Sequence, residues 1–196
     1  LVRGTSGSNG YLTKGAVMTD VDSDGDLDLI WFYDGTSYST ARRAGDYVRV
    51  FVNGGAADFT DGGARGLNVD MMPTPGQAAF PGVAIVGDVD GDGDNDVFMM
   101  LSSNYPPTAP PPALHLNQGG SQGGTLGHFS KSTQAFARQA GATAFGDVDG
   151  DSDLDLVMVG TDPWALYTND GAGNFATHPS IDPSGGGGGG VRLGGI

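Results

Sequence analysis

The chain has 196 residues, 38% of them apolar, and a formal net charge of -14, enough for one cored domain or a short array of repeats. All 23 acidic residues are Asp, and the nine Lys and Arg are scattered, which excludes the basic face that a nucleic-acid partner requires. No apolar run approaches the roughly 18 residues of a helical membrane span, and the absence of cysteine excludes a disulfide framework and thiol chemistry.

Residues 1–14 read as an N-terminal arm; the chain begins at Leu1 with neither Met nor a leader-type stretch, as expected of a processed or excised piece. Repeat 1 (15–60) opens with "GAVMTDVDSDGDLDLIWF", continues into "YVRVFVN", and ends on glycines and Phe59. A linker (61–81) follows. Repeat 2 (82–130) carries "GDVDGDGDNDVFMM", then a Pro-rich insertion (102–113) suited to polyproline II, then "ALHLN" and Phe129. After a second linker (131–140), repeat 3 (141–176) gives "GATAFGDVDGDSDLDLVMV", "ALYTN" and Phe175. The tail (177–196) contains six consecutive glycines and then a short apolar piece, Val191 to Ile196. Two landmarks recur in one order three times: an Asp cluster starting at Asp20, Asp88 and Asp147, and an Asn (Asn53, Asn117, Asn169) followed by glycine and Phe.

Around the landmarks the chain has strand character. A short apolar piece precedes each cluster, a β-rich run follows it (Leu29 to Phe32, Val97 to Leu101, Leu156 to Val159), and a third piece leads to the Asn. The expected fold is all-β: three four-stranded antiparallel units with extended termini and almost no helix.

Aligned on their first Asp, the clusters read D-V-D-S-D-G-D-L-D (20–28), D-V-D-G-D-G-D-N-D (88–96) and D-V-D-G-D-S-D-L-D (147–155). Two carboxylates about 5 Å apart repel by roughly 3 kcal/mol at an effective dielectric of 20, so such loops resist closing without a cation. Carboxylates at positions 1, 3 and 5 with a backbone carbonyl at 7 follow the oxygen-ligand logic of calcium, which suits this spacing better than the strict octahedron of magnesium. An EF-hand is excluded, because position 12 is Trp31, Met99 and Met158 and the flanks are strands. The ring is expected to close at position 9 (Asp28, Asp96, Asp155), with position 7 (Asp26, Asp94, Asp153) pointing its side chain outward. Position 6 is Gly25 and Gly93 but Ser152, which makes the third loop the more strained.

The motif D-x-D-x-D-G-x-x-D between two strands resembles the calcium loop of FG-GAP repeats, also called VCBS-type repeats, the blades of integrin-α-like β-propellers. The resemblance covers residues 15 to 176. It implies four-stranded propeller blades with one calcium in the turn between the first two strands, three ions in all. By matching position it implies the ligands Asp20, Asp22, Asp24, Asp26 and Asp28; Asp88, Asp90, Asp92, Asp94 and Asp96; and Asp147, Asp149, Asp151, Asp153 and Asp155. Propellers of this family usually close with about seven blades, in the range of propellers generally, whereas this chain has three, so a partial or oligomer-completed ring is expected.

Three blades leave strand edges and apolar faces that invite a neighbour. Self-association through the termini by strand addition, or docking on another surface protein, is expected. Catalysis is not: His115, His128 and His178 belong to no motif, and no cysteine or G-x-S-x-G nucleophile is present. The expected role is structural or adhesive, outside the cell, where calcium suits extracellular modules of about 10⁻⁴ to 10⁻³ M affinity. A glycan-binding propeller is the alternative, with Trp31, Tyr33, Tyr38, Trp164 and Tyr167 as aromatic platforms. The Pro-rich insertion reads as a stiff exposed loop, with O-glycosylation around Thr108 as the alternative.

Overall fold

Each β-rich run that follows an Asp cluster becomes the second strand of a sheet, and the short apolar piece before the cluster becomes the first. The computed structural model describes residues 12–34, 48–67, 81–101, 111–137, 141–160 and 164–178. Blade 1 contains β1 (Leu12–Thr19), β2 (Asp28–Asp34), β3 (Val48–Asn53) and β4 (Phe59–Asp61). Blade 2 contains β5 (Pro81–Gly87), β6 (Asp96–Leu101), β7 (Ala113–Asn117) and β8 (Phe129–Lys131). Blade 3 contains β9 (Gly141–Gly146), β10 (Asp155–Gly160), β11 (Ala165–Asn169) and β12 (Phe175–Thr177). Every sheet is a four-stranded antiparallel meander in chain order, as the sequence leads one to expect. Among the described residues the only helical turn is a 3-10 turn, Gly120–Gln122. Residues 1–11 of the N-terminal arm, the insertion from 102 to 110 and the Gly-rich tail from 179 fall outside the described residues, and with them the expected strand addition by the termini, Tyr38 and Thr108; residues 12–14, expected in the arm, open β1 instead.

The first strands lie side by side, β1 against β5 and β5 against β9, so the blades stack face to face in order. Side chains of a strand alternate between faces, and in blade 2 both faces are covered. Val97 and Met99 pack toward blade 1 with Ile30, Phe32, Val48 and Val50. Phe98 and Met100 pack toward blade 3 with Leu156, Met158, Tyr167 and Phe175. This explains why "VFMM" is continuously apolar where a half-exposed strand would alternate: all four side chains are at most 3% exposed. Leu67 and Phe136, in stretches that read as connectors, join these two cores. Phe136 sits edge-on to Phe98, Tyr167 and Phe175 at 5.1, 5.4 and 5.7 Å, a geometry aromatic rings favour. Gly66 takes φ +91, and a side chain there would run into the Phe129 backbone of the next blade.

Candidate metal centres

Each Asp-rich loop connects the first two strands of its blade: 20–27, 88–95 and 147–154. The carboxylate at position 1 is held by the loop's own amides. Asp88 Oδ1 accepts from the N–H of Gly91 and Asp92 and its Oδ2 from Gly93; Asp20 accepts from Asp24 and Gly25, and Asp147 from Gly150 and Ser152. The backbone reaches these bonds by entering the left-handed region at positions 4 and 6: Ser23 (φ 58), Gly91 (φ 73) and Gly150 (φ 87), then Gly25 (φ 92), Gly93 (φ 93) and Ser152 (φ 80). Ser152 therefore holds a conformation that costs a non-glycine residue about 1–2 kcal/mol, and Ser23 at position 4 bears a like cost, so the strain expected of the third loop is shared by the first.

Position 9 opens the second strand and is completely buried in all three blades. Its two oxygens accept from two backbone amides, one at loop position 2 and one at the landmark Asn. Asp28 takes Val21 and Asn53, both at 2.8 Å; Asp96 takes Val89 (3.0 Å) and Asn117 (2.8 Å); Asp155 takes Val148 (2.8 Å) and Asn169 (2.9 Å). Each oxygen keeps a further lone pair.

These constraints bring positions 1, 3 and 9 together. One carboxylate oxygen from each of Asp20, Asp22 and Asp28 lies within 4.8 Å of the others, and the same holds for Asp88, Asp90 and Asp96 and for Asp147, Asp149 and Asp155. At position 3, Asp22 Oδ1 and Asp90 Oδ1 are buried without a hydrogen-bond partner. Three convergent carboxylates, some with orphaned oxygens, are a donor set for a hard cation, and the residues present fit calcium. Position 5 (Asp24, Asp92, Asp151) lies outside these triplets; its Oδ1 accepts the amide of position 7 at 2.9, 3.1 and 3.0 Å. Position 7 differs from expectation. Its carboxylate turns against the glycine two residues after the landmark Asn, where a side chain at Gly55, Gly119 or Gly171 would meet it at 3.3, 2.4 or 2.6 Å. In the second loop this buries Asp94 to 4% exposure with neither oxygen bonded.

The second loop is also covered from above. The longer β7–β8 connection folds back so that Ser121 donates from its amide and hydroxyl to Asp92, and Gln122 donates to Asp90. Burial there pushes Asp96 up to about 7, with the charges of Asp90 and Asp94 adding and the amide bonds of Asn117 and Val89 opposing. Burial, reinforced by Asp92, raises Asp94 to about 6. It also raises Asp90, and Asp22 in the first loop, where the neighbouring charge of Asp28 adds. Asp147 and Asp149 of the third loop are exposed.

Residues 88–158, from the second loop to the second strand of blade 3, match the family model described as an FG-GAP-like repeat. That stretch is thus similar to an FG-GAP-like repeat. No curated protein matches the chain. The match contains two of the three acidic loops, and blade 1 repeats the same loop, strand order and Asn outside it.

The landmark Asn carries a role that sequence reading marked without explaining. Its side-chain amide spends one hydrogen on its own loop and the other on the loop of the preceding blade. Asn117 donates to Asn95 O (3.4 Å) and across to Val21 O (2.9 Å); Asn169 donates to Leu154 O (3.2 Å) and across to Val89 O (2.7 Å). The recurrence of an Asn after each cluster, closing the third β-rich piece, was the available signal; its cross-blade partner lies 80 to 96 residues away. His115 is fully buried with both ring nitrogens unbonded, and burial holds it neutral at about 4. Tyr167 is buried and its hydroxyl accepts the Ala137 amide, so it offers no exposed platform, whereas Trp164 is 37% exposed.

Proposed function

We propose that this chain is a calcium-binding repeat module with a structural or adhesive role outside the cell, partnered by copies of itself or by another surface protein. One observation carries the reading: in all three loops the carboxylates at positions 1, 3 and 9 converge to within 4.8 Å. At that separation each pair repels by about 3 kcal/mol at an effective dielectric of 20, and a divalent ion turns the same closeness into attraction. The ion would be held by these carboxylates, with Asp24, Asp92 and Asp151 and the position-7 carbonyls as further oxygen donors. It would stiffen each turn between the first two strands, and through position 9 it would fix the amides of loop position 2 and of the landmark Asn.

The reading is non-catalytic, because the acidic side chains serve the loops and FG-GAP-like repeats are typically structural modules. Loops of this kind suit millimolar calcium, which supports an extracellular setting. Thermal melting with and without chelator tests it. Excess EDTA is expected to lower the melting temperature by several degrees or more, and calcium titration is expected to show three sites, the second tightest and the exposed third weakest. A melt indifferent to EDTA and calcium would exclude structural ions.

A further inference from the structure

The two blade interfaces inside the chain are built from equivalent positions, and the outer faces of blades 1 and 3 are the two unmatched halves of that same interface. Toward the preceding blade, a blade presents the residue one before the end of its first strand, loop position 8, the Asn amide and the Phe of its fourth strand. In blade 3, Phe145 and Leu154 pack on blade 2, Leu154 against Gly87, and Phe175 is 6% exposed in the shared core. Toward the following blade, a blade presents loop position 2: Val21 and Val89 are at most 1% exposed, and their carbonyls receive Asn117 and Asn169.

At the chain's two ends these positions are uncovered. Met18, Leu27 and Phe59, the preceding-side set of blade 1, are 52%, 53% and 37% exposed. Val148, loop position 2 of blade 3, is 42% exposed, and Trp164, five residues before its Asn as the buried Val48 is in blade 1, is 37% exposed. These five are all the large hydrophobic residues exposed among the described residues. Asn53 bonds within its own blade, to Leu27 O and Gly55 N, and no described residue donates to the Val148 carbonyl.

We propose that a second copy of this chain covers these faces head to tail. Blade 1 of one copy docks on blade 3 of the other, with Asn53 donating to the partner copy's Val148 carbonyl as Asn117 does to Val21. The occupant follows from continuity: the uncovered positions are those that bury one another twice within the chain, so the surface complementary to each end is carried by the opposite end. Two copies give six blades, inside the range of about four to eight in which propellers close. Closure makes the second contact intramolecular once the first has formed, which favours a ring of two over an open chain. The contact lies on the blade faces and goes beyond the calcium reading.

Light scattering on the 196-residue chain at tens of micromolar, in saturating calcium, tests it. The expected mass is twice the 19.9 kDa of one chain. Phe59→Asp and Trp164→Asp alter exposed side chains outside the acidic loops, and each variant is expected to keep the strand circular dichroism while running as a single chain. Mixed in equal amounts they regain a two-chain species, because one supplies an intact head and the other an intact tail. A wild-type chain that stays single, its faces covered by its own terminal segments or needing no cover, overturns the proposal. So do variants that remain paired, or a mixture of folded variants that does not pair. Three calcium sites with a single-chain mass would reject the docking alone, and a stable pair indifferent to chelator would reject the calcium reading alone.

Discussion

At the scale of single residues, a few polar side chains join loop to strand and blade to blade. Position 9 is an Asp because two backbone amides, from elements distant in sequence, converge on it in a buried place, and only an acceptor with two oxygens satisfies both. The landmark Asn is its counterpart: an amide supplies two donors and one acceptor on a short stem, and Asn117 uses all three, donating to Val21 and Asn95 and accepting from Gly127 N at 2.8 Å. Asn117→Ala strands these buried groups at about 1–3 kcal/mol for each one left unpaired. Denaturant unfolding is expected to show a loss of about 2 kcal/mol or more. A loss below about 0.5 kcal/mol would mean that water replaces the amide and that the cross-blade bond contributes little.

Among elements, the second strand of each blade decides how the sheets stack. In β6 the alternating pairs Val97/Met99 and Phe98/Met100 bury into different cores, while the fourth strand, only three residues long, contributes mainly its Phe. Phe175 closes the core between blades 2 and 3 and touches Phe136, so Phe175→Ala removes a buried aromatic ring and leaves a cavity. The expected cost is about 3–5 kcal/mol, the usual range for such truncations. A much smaller loss by chemical denaturation would show that blade 3 does not pack on blade 2 through this side chain. His115 occupies the place that Phe51 and Tyr167 hold in the other blades, two residues before the Asn, which explains how an imidazole comes to be buried without partners.

For the whole molecule, charge and ions set the response to pH. In the ion-free chain Asp94 and Asp96 titrate near 6 and 7 against an ordinary 3.8, so between about pH 4 and 7 the folded state holds protons that the unfolded state has released. Stability in chelator therefore falls as pH rises through that window. His115 works in the opposite direction, its folded value near 4 lying below 6.5, but as one group against two. With EDTA, the melting temperature is expected to be higher at about pH 5 than at about pH 7.5. With saturating calcium the order is expected to reverse, because protons and the ion compete for the same oxygens. Equal melting temperatures at the two pH values in chelator would contradict the burial of these carboxylates.

The sequence by itself determined the strands, their meander order and the three acidic loops. All of these are local: strand periodicity, turn chemistry and the Asp spacing act over about ten residues and repeat three times, so they are visible without any contact map. Even the strain at Ser152 was legible, because a loop that needs glycine at one place shows a substitution there at once. What only the tertiary structure decided is non-local. The inward turn of Asp94 depends on Gly119, 25 positions further along the chain; the destination of the Asn amides depends on the neighbouring blade; and the core roles of Leu67 and Phe136 depend on which sheet faces they meet. An apolar residue in an irregular segment carries no period, and a side-chain amide does not reveal its partner until two sheets are stacked, which is why these features required coordinates.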